Sequence, residues 1–97
     1  MDNDLFLQYL IEHSLEEDQV FIKEYVAELT DYAAIGVLIK DEAAHQRNIH
    51  PFISLKLAEL LIFFGEYVHH ERSHALGYLA KGGALIGLGY YLSLIHI

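Results

Sequence analysis

Residues 70 to 77 read HERSHALG. Two histidines four apart, with a glutamate directly after the first, are the pattern by which a helix holds zinc and activates water for hydrolysis. On one helix His70 and His74 would share a face and reach one cation, with Glu71 as the general base. A catalytic zinc needs a third protein ligand. The extended form of the motif would place it at residue 80, which is Ala80, and His13, His45 and His50 stand far upstream. The polar run His69 to Ser73, following Gly65, suggests a helix break, so the five letters would straddle an entry loop and a first helical turn. The expectation is an incidental surface cluster, with no metal and no cofactor; a zinc-dependent hydrolase is the alternative reading.

No other catalytic set is present. The chain lacks a glycine-rich phosphate loop and a nucleophile elbow. The adjacent acids Glu16, Glu17 and Asp18 read as solvated charges at a helix start, where they favour the positive end of the dipole, rather than as a paired acid and base. An enzyme is not expected.

The elements that must position these residues are all helices. The 97 residues, 54% of them hydrophobic with a single proline, allow one small domain with a core of its own. There is no cysteine, so disulfides and thiolate metal sites are excluded. No basic, apolar leader opens the chain, and the longest apolar stretches fall short of the roughly 20 residues that span a bilayer. A cytoplasmic protein without a membrane segment is expected. The net charge of −8 is unevenly placed: residues 1 to 31 hold nine acids against Lys23 alone, and the remainder holds five acids and five bases. Nucleic-acid binding needs clustered Lys and Arg, so no nucleic-acid partner is expected.

Leu5, Phe6, Tyr9, Leu10 and His13 form a helical stripe after Asp4, a residue type that caps helix starts. A second helix starts at the acids Glu16 to Asp18 and ends near Leu29. Thr30 or Asp31 caps a third, running to His45 or Arg47. Pro51 suits the first turn of a fourth, predicted over residues 51 to 67 and apolar nearly all round, which implies cover on several sides. A fifth follows the polar cluster. Alternating periodicity is absent and no strand is predicted, so the fold class is all-α: stacked antiparallel helices, about five in number.

In residues 75 to 91, ALGYLAKGGALIGLGYY, an aromatic Tyr78 is followed by Lys81, the small Gly82 and the large Leu85. Ala84 adds a second small residue, and Leu88 and Gly89 before Tyr91 look like a helix stop. This phrase resembles the first helix of a tetratricopeptide repeat, in the bacterial variety with Lys before the small position. A fainter echo runs from Leu57 and Ala58 to Tyr67, but Ala58 and Gly82 are 24 residues apart, where true repeats step by about 34. The order of segments is also similar to the region preceding the repeats in bacterial proteins that end in a caspase-like CHAT domain.

The resemblance implies the start of a tetratricopeptide-like α-solenoid, with repeat-packing residues Tyr78, Gly82, Ala84, Leu85, Leu88 and Gly89. Tyr78, Gly82, Leu85 and Leu88 are expected to face the fourth helix, with Gly82 at the closest approach. It also implies a groove lined by Leu76, Leu79, Gly83, Ile86 and Gly87, all uncharged. That departs from repeats that clamp a peptide carboxylate with basic residues and suits an amphipathic helix or further repeats of the same chain; plain core is the simpler account of the same face. Leu92 to Ile97 match the translation of a transposon-end adapter used in sequencing libraries and read as a non-native tail. The expected organisation is an acidic helical lead-in over 1–49, a helix pair with the front half of a repeat over 50–91, and the tail over 92–97. The function expected is a protein-protein interaction scaffold, the N-terminal part of a larger bacterial repeat protein carrying an effector or regulatory domain.

Overall fold

The computed structural model describes residues 2–95. His96 and Ile97, the end of the expected tail, lie outside the described residues. Five helices follow in order: α1 (Asn3–Glu12), α2 (Leu15–Val26), α3 (Tyr32–Gln46), α4 (Pro51–Tyr67) and α5 (Glu71–Ile95). Among the described residues there is no strand, so the fold is all-α.

Each helix start has a chemical cause. Asp2, not Asp4, caps α1, its carboxylate accepting from Leu5 N at 2.9 Å. Ser14 opens α2 with a reciprocal pair: its hydroxyl accepts from Glu17 N at 3.2 Å, while the Glu17 carboxylate accepts from Ser14 N at 3.3 Å. Two orphan amides are satisfied at once, which fixes the start one residue ahead of the acid cluster. Asp31 caps α3 through Ala34 N at 3.0 Å. Pro51 sits in the first turn of α4, where its missing N–H costs nothing.

The turn from α4 to α5 is a Schellman motif, with His69 N donating to Glu66 O at 3.3 Å and His70 N to Gly65 O at 2.9 Å. The left-handed residue such a motif needs is usually glycine; here it is His69, at φ 55°.

The core lies around α4, which buries Leu57, Ala58, Leu60, Leu61 and Phe64. Phe6 and Leu10 of α1, Ile22 of α2, and Ile35, Ile39 and Ala43 of α3 pack on it. The α1–α2 pair is also joined by stacked rings, Phe6 on Tyr25 at 4.8 Å and Tyr9 on Phe21 at 4.0 Å. α4 is thus covered on several sides, as its near-continuous apolar sequence requires.

α5 packs on α3 and α4 through residues with little or no side chain. A Cβ on Gly77 would stand 2.7 Å from Ile62 N, and one on Gly65 2.6 Å from His74 Cα. One on Gly36 would stand 3.1 Å from Ser73 Cβ. Ser73 and Ala84 are buried along the same face.

This register corrects the sequence expectation. Gly82 and Gly89 have nothing within 4 Å of where a Cβ would sit, and Tyr78 and Leu85 are 54% and 49% exposed. Of the residues expected to pack, Ala84 is buried and Leu88 half-buried. The face meeting α3 and α4 is Ser73, Gly77, Ala80 and Ala84, because the shortest side chains allow the closest approach.

Nor does Gly89 stop the helix. A glycine that ends a helix does so by taking positive φ, and no glycine here has it. α5 runs on to Ile95, its last turns steadied by the edge of Tyr91 against Phe52, ring centroids 6.2 Å apart.

The two glycines should therefore respond with opposite signs. Gly77→Ala is expected to destabilise the protein by about 2–3 kcal/mol, since the added methyl meets backbone, whereas Gly82→Ala should stabilise it by up to roughly 1 kcal/mol through helix propensity. Urea unfolding of both variants checks this; equal effects would reject the packing register.

Candidate functional site

The five letters HERSH prove to be the beginning of α5. His70 precedes the first helical residue, and its carbonyl accepts the first intrahelical bond, from His74 N at 3.1 Å. Its ring caps the helix: Ser73 N donates to Nδ1 at 3.1 Å, and the Ser73 hydroxyl lies 2.7 Å from the same nitrogen. With Ser73 N–H as donor, Nδ1 is the acceptor in this contact. The imidazole does here what a Ser or Asp oxygen does at most helix starts. Glu71 adds an acid in the first turn, the sign the dipole favours.

His74 turns elsewhere. Its Nε2 lies 3.1 Å from a carboxylate oxygen of Glu66 on α4, and the ring meets Tyr78 edge-on at 5.1 Å. Nδ1 of His70 and Nε2 of His74 are thus each engaged, with different partners. Among the described residues no three His, Cys, Asp or Glu side chains are placed to hold a metal ion.

A second polar cluster was not legible in the sequence. Asp18, expected as a solvated helix-start charge, is wholly buried, with Lys56 Nζ 3.3 Å from Oδ2. Lys56 also donates to His13 O at 2.6 Å and Ile11 O at 3.1 Å. One ammonium on α4 therefore meets both the end of α1, where backbone carbonyls carry partial negative charge, and the start of α2. Burial pushes the Asp18 carboxyl up to about 6, against the attraction of Lys56, which pulls it down. This cluster fastens the acidic α1–α2 pair to the core.

The third feature is the outer side of α5. From Ala75 to Ile95 Lys81 is the only charged residue, and it is spent on Glu59 at 2.9 Å. Leu79, Ile86 and Tyr90 are 71%, 62% and 72% exposed. The groove positions expected from the sequence divide: Leu79 and Ile86 are open, Leu76 and Gly87 half-buried, and Gly83 and Gly87 face the side chain of Arg47 from α3. That arginine was not singled out by spacing on α5, because it comes from another helix.

No family model, curated protein or solved structure matches the chain. No helix is long and apolar enough to cross a membrane among the described residues.

Two outcomes follow from this chemistry. His70→Ala should cost about 1 kcal/mol as a lost helix cap, and one equivalent of zinc should leave the melting temperature of the wild type unchanged; a zinc-induced rise lost in His74→Ala would establish a metal pair instead. Asp18 binds its proton more tightly folded than unfolded, so its contribution to stability falls as pH rises from about 4 to 6. Asp18→Asn should gain on the wild type by roughly 2–3 kcal/mol between pH 4 and 7, read from urea midpoints at each pH; parallel curves would show that the carboxyl does not titrate in this window.

Proposed function

We infer that the chain is a protein-protein interaction scaffold that receives an apposed helix on the outer face of α5. The observation that carries this is the uncharged, exposed side of a 25-residue helix, with Tyr78, Leu79, Leu85, Ile86 and Tyr90 all open to solvent. Contiguous apolar surface of this kind marks association sites in soluble proteins. Gly82 and Gly89, seven residues apart on that face with nothing near them, suit close approach of a second helix axis.

The resemblance of residues 75–91 to the front of a tetratricopeptide repeat supports the same reading from another side. In such a repeat the small position of the first helix is covered by the following helix, and here Gly82 points outward. In its fuller form the proposal makes the chain the N-terminal part of a larger bacterial repeat protein whose array recruits or restrains an effector or regulatory domain. Nothing in the histidine pair favours the hydrolase reading over this one.

Panning a displayed library of random 16-residue peptides on the chain tests the proposal. Helix-forming binders are expected, with affinity lost in Ile86→Asp and kept in Val20→Asp, which alters an exposed apolar residue on α2. A library that yields no binder, or binders indifferent to Ile86→Asp, rejects it.

A further inference from the structure

Arg47 follows α3 directly, and its side chain lies across α5. A Cβ on Gly83 would stand 3.0 Å from Nη1 and 3.3 Å from Cζ, and one on Gly87 would stand 2.7 Å from Cγ. Glycine is unfavourable inside a helix, yet two of them one turn apart form the shelf on which this side chain rests.

Four of the other five cations have a partner among the described residues. Lys40 lies 3.6 Å from Asp41, Lys56 3.3 Å from Asp18 and Lys81 2.9 Å from Glu59; Lys23 lies 5.9 Å over the ring of Phe63. Arg72 has no acidic partner among the described residues but projects into solvent. Arg47 is half-buried, and no hydrogen bond or ion pair ties its guanidinium to a described residue, although the chain holds fourteen acids.

A cleft opens on each side of it. One, of about 130 Å³, is lined by Lys40, Ala44, Leu79 and Gly83; the other, of about 220 Å³, by Ile49, Pro51, Tyr90 and Tyr91. A planar five-donor group between two clefts of mixed polar and apolar lining, joined by one lysine with only a long contact to its neighbour, suits a single carboxylate. Phosphate backbones call for many clustered cations, and the overall charge of −8 opposes a polyanion.

We propose that Arg47 is the carboxylate-recognising group at the edge of the α5 face, so that its partner is an amphipathic helical segment of another protein with an Asp or Glu at the edge of its apolar stripe. The inference rests on the docking reading above and adds the charge of the partner. Leu79 and Tyr90 supply the apolar contact on either side of the ion pair, and Lys40 stands as the second cation. Because the positive charge comes from α3, the groove residues of α5 remain uncharged while the groove itself selects an acid.

The test uses the same displayed library, panned on the wild-type chain and counter-panned on Arg47→Gln. Enriched peptides are expected to share one acidic position within an apolar framework. A synthetic binder should lose about tenfold or more in Kd when that Glu is changed to Gln, and the difference should vanish on Arg47→Gln and partly persist on Arg47→Lys. Circular dichroism of both variants confirms the fold, and Arg47→Lys carries the comparison should the Gln variant not fold.

Binders without an acidic position, or a Glu-to-Gln loss that is the same on wild type and Arg47→Gln, overturn the inference while leaving apolar docking in place. Tighter binding of a phosphoserine version than of the Glu peptide reassigns the site to phosphate and equally overturns it. The absence of any binder removes both readings.

Discussion

The distance at which α5 lies against α3 and α4 is the constraint on which the remaining structure depends. It is set at Gly36 against Ser73, Gly65 against His74, and Gly77 against Ile62. Helix axes pack 8–10 Å apart according to the side chains at the contact, and removing the side chain at the crossing brings backbone against backbone. Once those contacts are made, α5 cannot rotate: a turn of one residue would drive Leu76 or Tyr78 into the backbone of Ile62. The rotation in turn decides which residues are left outside, so the open face of Gly82, Ile86 and Gly89 follows from the closed one.

This is also where sequence reasoning ran out. Helix existence was legible because each start carries its own chemistry: the bounds of α4 follow from Pro51 and a continuous apolar run, and Asp31 caps α3 as its type and place suggest. The register of α5 was not, since the helix offers small residues along two lines. Ser73, Gly77, Ala80 and Ala84 follow helical spacing, while Ala75, Gly82 and Gly89 recur every seven residues. Either line admits a close neighbour, and only the tertiary contact with α4 chooses between them. Asp18 and Arg47 were illegible for a related reason. Their environments are made by Lys56 and by Gly83 and Gly87, on helices far along the chain, and local pattern carries no record of them.

The charge distribution has a spatial consequence. α5 contacts α3 and α4 and has no contact with α1 or α2 among the described residues. The acidic first third is therefore held to the core by Lys56, away from the uncharged face. A partner approaching α5 meets little of the repulsion that a net charge of −8 suggests, and exposed charges beyond a Debye length of about 8 Å are largely screened in any case. Electrostatics near the face is then dominated by Arg47 at its edge, since Lys81 is paired with Glu59. An isolated positive group in an acidic protein gives discrimination more than affinity, because like-charged or neutral partners lose the pair without gaining a substitute.

The hydrolase motif shows how a string of letters acquires other causes. His70 stands where a helix needs an acceptor for its third amide, and an unprotonated ring nitrogen supplies one. Glu71 stands where negative charge is favoured. Ser73 is small because Gly36 lies against it, and its buried hydroxyl is paired with His70. His74 reaches back across the turn to Glu66, tying α5 to the helix it follows. His70, Ser73 and His74 each have a partner at the turn, and together they settle the direction in which α5 leaves α4. The chemistry of residues 70 to 74 is that of a helix start, and its effect is felt some twenty residues on, where α5 presents its open side.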